Sequence, residues 1–275
     1  MRYPRVIPLL LALAVLGAWE TYCRLGGLPA YILPPPTQIL KVALGEAALL
    51  LPHAATTLAE ILAGIGLALA AAIPLAVGMH AKPAVERALA PFLVASQAVP
   101  VFALAPLLVV WLGYGMASKV LMAGIIIFFP ITVRLLEAYK SCDRNYRILF
   151  DLMGAGRLQA LRKLYWPWAL PYFFAGLKVG VSVATIGAVI GEWVGAQQGL
   201  GYLMIQANAR LKVDLVFAAI LWLSLMGVGL WALVGWIEKR CLWWREAEVG
   251  AEGSKSHGGR GSKDKAKPLN HRRFL

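Results

Sequence analysis

Near the end of one apolar stretch, residues 172–196, stands a carboxylate, Glu192, followed by Gln197, Gln198, Gly199, Gly201, Gln206 and Asn208. A carboxylate at that depth in a membrane span is costly unless it is partnered, wet or close to the interface, so Glu192 is a functional candidate by default. The same position also suits a purely structural residue at the interface. Gly199 and Gly201 allow a tight, mobile connection, either a plain turn or part of an external gate. The uncharged hydrogen-bonding groups around them favour the gate. Elsewhere in the apolar stretches the polar side chains are few, namely Ser96, Gln97, Ser182 and Thr185. Glu192 therefore reads as nearly solitary, and these residues mark a candidate path for a small solute. Taken singly, each of the hydroxyls fits ordinary helix packing as well.

Other chemistries find little support. The three cysteines, Cys23, Cys142 and Cys241, lie far apart, and no CxxC or Cys/His cluster occurs, so neither a disulfide framework nor a metal site is indicated. The four histidines are scattered without an HExxH. An intramembrane enzyme would need a nucleophile with its base, or a metal cluster, at one depth, and the spans offer neither. No G-x-x-x-x-G-K-[ST] is present, so nucleotide binding through a P-loop is not expected, and no cofactor is implied. The formal charge of +13 would suit nucleic acid only as a continuous basic surface. Here the basic residues sit in short loops and a tail.

A second group of residues suggests a mechanical role. From 142 to 171 the chain is polar and basic, between two stretches long enough to cross a bilayer. Leu149, Leu152, Met153, Leu158, Leu161 and Leu164 recur at three- and four-residue intervals, broken by Gly154 and Gly156. Two short helices meeting at a glycine turn fit that spacing, with Arg147, Arg157, Arg162 and Lys163 on the other faces. Such a helix pair suits a groove on a soluble partner; an amphipathic helix on the membrane surface is the alternative.

The elements that must position these groups are helices. Only 15% of the 275 residues are charged and 60% are apolar, where a soluble domain would carry about 25% charged. Six apolar spans emerge, about 6–23, 57–79, 88–112, 119–136, 172–196 and 215–237. Each is near the ~20 residues needed to cross the hydrocarbon layer. Lipid offers no water to free backbone groups, so the spans are expected to be α-helical, and the fold class is an all-α polytopic membrane bundle. The first span lacks a small-residue cleavage site and runs into Trp19, Glu20 and Tyr22, so an uncleaved anchor is expected rather than a signal peptide.

Most of the 27 Lys and Arg fall on the side of the N-terminus, around Arg2 and Arg5, Lys82 and Arg87, 134–163, and from Lys239 onward. Arg24, Lys41, Lys119, Arg210 and Lys212 fall on the other. That asymmetry places both termini in the cytoplasm. Between the first two spans, Pro34, Pro35 and Pro36 precede Thr37, a plausible N-cap for a short amphipathic helix through Leu44 and Leu49, lying flat on the outer surface. Pro74, Pro91, Pro100, Pro106 and Pro130 are expected to bend their spans. The membrane-embedded body is expected to cover 1–245. The Gly-, Ser- and Lys-rich tail, 246–275, should be disordered, with weak attraction to anionic lipid.

Gly154, nine residues, then Leu164-Tyr165-Trp166-Pro167 resembles the EAA signature of permease subunits of binding-protein-dependent ABC importers, in which a glycine and nine residues precede I-x-L-P. Two positions depart from it: the triplet before the glycine reads Ile148, Leu149, Phe150, and Trp166 replaces a leucine. The ALP that follows, the segment AGLKVGVSVATIGAVIGEWVGAQQGLGYL and the earlier ILPPPTQIL look like the nitrate, sulfonate and taurine branch. The likeness covers about 33–245. Within that branch, GEWVGAQQGLGYLMIQANARLKVDLVFAAI looks most like permeases for pyrimidine precursors of thiamine, such as hydroxymethylpyrimidine.

The resemblance implies a type I importer permease fold in the bacterial inner membrane. It also implies a complex of two copies of this chain, two ABC ATPase subunits that bind the ATP, and an external solute-binding protein. The ATPase-coupling positions it implies are Gly154, Ala155, Gly156, Arg157, Leu158 and Gln159, with Leu164 and Pro167 completing the motif. The path or gate is expected at Gln97, Ser182, Thr185, Glu192, Gly199 and Gly201. A proton-coupled carrier acting alone is the rival, and should show inverted repeats and several buried ionisable groups.

Overall fold

The computed structural model describes residues 6–27 and 29–243, so the expected tail, 246–275, lies outside the described residues. The chain divides into two compact units, Met1–Gly235 and Trp236–Leu275. Every regular element among the described residues is helical: α1 (Val6–Leu25), α2 (Pro36–Gly45), α3 (Ala47–Ala81), α4 (Pro83–Ser96), α5 (Val101–Leu112), α6 (Met116–Ser141), α7 (Arg144–Leu152), α8 (Arg157–Ala160), α9 (Trp166–Gly195), α10 (Leu200–Ala209) and α11 (Val213–Cys241). In the second unit, the Arg240 guanidinium lies over the Trp236 ring at 4.6 Å.

Three long helices, α3, α6 and α9, form the centre of the first unit. Small residues let their backbones approach closely, the usual device for helix association in lipid. A side chain on Gly64 of α3 would meet Ala123 of α6 at 2.7 Å, and one on Gly176 of α9 would meet the Pro130 carbonyl of α6 at 2.8 Å. Around these crossings Ile61, Met79, Met122, Ile127, Ile131, Leu135 and Val181 are fully buried.

Among the described residues, four helices are long and apolar enough to cross a membrane, and a bent pair makes a possible fifth, against the six spans expected; α1, over the first expected span, is not among them. The third expected span, 88–112, is not one straight helix. It is the pair α4 and α5, bent by 100°, with turn hydrogen bonds at Gln97 and Ala98 and the break ending at Pro100. Pro100 has no N–H to continue the ladder, and it disfavours helical backbone at Val99 before it. Hydropathy cannot register the bend, because both arms are apolar.

The loop after α1 also differs from expectation. α2 starts at Pro36 and ends at Gly45, with Pro35 and not Thr37 at its N-cap, so Leu49 belongs to α3. Thr37 instead donates its backbone N–H to Glu20 Oε2 at 3.1 Å and its hydroxyl to Glu20 Oε1 at 2.7 Å. α3 is 35 residues long, or about 52 Å at 1.5 Å per residue, so it extends well beyond the hydrocarbon layer.

Candidate functional site

Glu192 belongs to a buried polar cluster and is not solitary. Its side chain is 1% exposed, enclosed where α9 meets α3 and the start of α10. The first backbone N–H groups of a helix have no partner within it, and here α3 and α9 supply them. Gly199 N donates to His53 Nδ1 at 3.0 Å, and Leu200 N to Thr57 Oγ1 at 2.9 Å. Gly201 N and Tyr202 N both donate to Glu192 Oε2. Thr57 returns its hydroxyl proton to Glu192 Oε1 at 2.6 Å. The carboxylate thus caps α10 from another helix, where the N-terminal end of the helix dipole favours negative charge.

The glycines fit this closeness. Gly199 has φ +126, and a Cβ on it would collide with the Glu192 carboxyl. On Gly201 the same atom would stand 2.9 Å from Glu192 Oε2.

Sequence reasoning missed four members of the cluster: His53 and Thr57, which take the α10 N–H groups, and the charged pair Glu60 and Lys119. Glu60 of α3 is fully buried and its carboxyl lies beside that of Glu192. Lys119 of α6, expected at the outer end of the span 119–136, is 6% exposed, with its Nζ 3.3 Å from Glu60 Oε1, an ion pair without hydrogen-bond geometry. The rule that singled out Glu192 would also have found Glu60, a charge three residues into the expected span 57–79. Among the described residues, no group of three or more His, Cys, Asp or Glu is arranged to hold a metal.

The remaining path candidates lie elsewhere. Gln97, at the α4–α5 bend, lines a groove of about 930 Å³ with Leu67, Gly124, Phe128 and Arg134. Ser182 and Thr185 line a second groove of about 850 Å³ with Phe102, Trp193 and Trp231. The Ser182 hydroxyl donates to the Lys178 carbonyl at 2.8 Å. The six candidates therefore fall in three places within one chain.

At the other end of α6, residues 143–159 are mostly exposed, whereas 160–171, apart from Arg162 and Lys163, are half-buried or buried. The Asp143 side chain caps α7, accepting from Asn145 N at 2.9 Å. Gly154, at φ +67, turns the chain into α8, in the left-handed region that costs other residues strain. A π-helical turn, Leu161–Tyr165, then joins α8 to α9; such turns recur at functional sites. Leu152 (81% exposed), Met153 (74%) and Leu158 (68%) have no apolar cover. Arg157 and Gln159 are exposed, Ala155 and Pro167 half-buried, and Leu164 buried. Arg147 holds the segment to the bundle, its Nη2 donating to the carbonyls of Tyr139 (3.1 Å) and Lys140 (3.0 Å). His80 of α3 packs against Tyr139 and Tyr165.

Residues 61–242 match the family described as "binding-protein-dependent transport system inner membrane component". The chain belongs to that family. It is 42% identical over 236 residues to a probable ABC transporter permease protein of Haemophilus influenzae, covering 86% of this chain and 96% of that one. It is 41% identical over 248 residues to the formylaminopyrimidine transport permease ThiX of Halalkalibacterium halodurans (90% and 98% covered). With the riboflavin transport system permease RibX of Chloroflexus aurantiacus the identity is 39% over 229 residues (82% and 85%). At 32% identity and below, the similarity extends to permeases named for taurine and aliphatic sulfonates. The chain is thus a multi-pass permease subunit of an ABC importer, of the nitrate, sulfonate and taurine branch, and a transport component rather than an enzyme.

Proposed function

We propose that this permease imports a thiamine-related pyrimidine precursor, driven by a separate ATPase subunit that grips the segment 142–171 on the cytoplasmic side. The observation that carries the coupling half is the ordered, uncovered apolar face of Leu152, Met153 and Leu158 beside Arg157, turned by Gly154. An apolar helix face with a basic margin is what a groove on a soluble partner receives. Gly154, Ala155, Gly156, Arg157, Leu158 and Gln159 enter that groove, while Leu164 and Pro167 join the segment to α9. Both termini are cytoplasmic, two copies of the chain face each other, and a solute-binding protein delivers the solute outside. Gln97 in one groove and Ser182 and Thr185 in the other line the path between the copies. The Glu192, Gly199 and Gly201 cluster belongs to the outer gate.

The coupling half is tested by a Gly154→Trp variant, in which uptake is lost while the chain stays in the membrane; wild-type uptake would overturn it. Co-purification of a tagged permease with its ATPase tests the partner directly. For the solute, the support is the name of a relative 41% identical over nearly the whole chain, against 32% for the taurine permease. A riboflavin permease at 39% favours a second reading in which the solute is a larger flat heteroaromatic. Calorimetric titration of the cognate solute-binding protein with formylaminopyrimidine, hydroxymethylpyrimidine, riboflavin and taurine separates these. Tight binding of taurine alone would remove the pyrimidine reading.

A further inference from the structure

The last turn of α6 is held from two sides. Arg147 of α7 donates to the carbonyls of Tyr139 and Lys140, tying the coupling segment to that turn. The Lys140 Nζ, on the same turn, forms an ion pair with Glu86 in the first turn of α4. α4 has no buried residue of its own, and it leads to the 100° bend before α5. Beneath the bend lies the groove of about 930 Å³ between Gln97 and α3 and α6. By contrast, α3, α6 and α9 meet through glycines with no spare space. A rearrangement is cheapest where packing is loose and room exists, and a packed block moves as a unit.

We propose that Glu86 and Lys140 are positioning residues for transport, forming the link that carries movement of the coupling segment into α4 and so opens and closes the α4–α5 bend over its groove. Arg147 fixes the segment to the α6 terminus, so a pull on α7 displaces Lys140. Glu86 then transmits the displacement to a helix that is otherwise lightly held. The link depends on opposite charge at two partly exposed positions, Lys140 at 61% and Glu86 at 26% side-chain exposure, so either orientation of the pair serves. It rests on the reading of 142–171 as the ATPase contact.

The test is a charge swap in the full complex of permease, ATPase and solute-binding protein reconstituted in liposomes, with uptake and ATP hydrolysis measured together. Glu86→Lys and Lys140→Glu should each lower solute uptake per ATP hydrolysed about tenfold. The double variant E86K/K140E should recover most of the loss. Unchanged uptake per ATP in both single variants, or a double variant no better than the singles, overturns the link. If a single reversal prevents assembly, Glu86→Gln and Lys140→Met replace it, and wild-type coupling in both is equally fatal. Loss of ATP-driven uptake in the wild-type complex would instead refute the underlying transport reading, so the two failures are distinguishable.

Discussion

Lys119 and Lys140 lie on the same helix, about 30 Å apart along its axis at 1.5 Å per residue, and meet carboxylates in opposite settings. Lys119 is enclosed with Glu60 and Glu192 in a cluster that also caps α10. Lys140 reaches Glu86 at the surface of the bundle. Beside Lys119 the backbone N–H groups of the α10 start have side-chain acceptors and the core is closed. In the segment that follows Lys140, Leu152, Met153 and Leu158 stand uncovered. The first arrangement ties α10 to α3 and α9; the second leaves surface for something to bind. Depth decides which, because an ion pair gains strength and loses tolerance as water is withdrawn.

The sharpest break in the comparison is to remove each lysine in turn. Lys119→Met leaves Glu60 and Glu192 buried without a cation, which should cost about 3–5 kcal/mol and read as a large fall in the thermal unfolding midpoint of the purified permease. Lys140→Met should change stability by no more than about 1 kcal/mol. The double change E60Q/K119M should recover much of the first loss, since it removes both charges together. Equal midpoints for the two single variants would erase the distinction.

Thr57→Val sharpens the account of the buried end. The hydroxyl both donates to Glu192 and accepts from Leu200 N, so its loss strands a buried N–H and costs about 1–3 kcal/mol. Hydrogen exchange should speed up first at Leu200, whose N–H loses its acceptor. Uniform exchange along α10 would mean that its N-terminus is not held by this cap.

Gly154→Ala sets the corresponding figure for the coupling end. At φ +67 a Cβ costs about 1 kcal/mol or slightly more, while nothing stands within 4 Å of the new atom. Denaturant or thermal unfolding should register only that local strain, in contrast to a bulky residue, which should block partner docking.

The long apolar runs made α6, α9 and α11 readable because lipid forces helix on any segment of that length. The glycine turn of the segment 142–171 was equally plain, since Gly154 and Gly156 interrupt a clear three- and four-residue period, but the second short helix was not: Arg157–Gly195 runs as one helix of 39 residues through the π-turn, so α8 is the first turn of that helix and not a separate element. Two features were hidden for separate reasons. The 100° bend at Gln97 falls between two apolar arms, so hydropathy runs through it and only Pro100 marks the place. The cluster around Glu192 draws on α3, α6, α9 and α10, and its contacts between helices join residues 135 apart (Thr57 and Glu192) and 146 apart (His53 and Gly199) along the chain. Periodicity is a local signal and cannot report such convergence. Glu60 alone was detectable, as a charge within an apolar run.

The smallest expected stability change belongs to Leu152. At 81% exposure it buries little, so Leu152→Asp should shift stability by less than about 0.5 kcal/mol. The same change places a negative charge in the middle of the uncovered face, where a groove lined for apolar side chains would have to desolvate it. Retention of the ATPase on affinity purification should therefore fall sharply in a permease that unfolds like wild type. If the midpoint dropped as far as in Thr57→Val, the face would be part of the bundle's own packing. If the midpoint and the retained ATPase both stayed at wild-type levels, the partner would have to grip elsewhere on the segment. Only a large change in binding with almost none in stability fits a surface kept apolar for another protein.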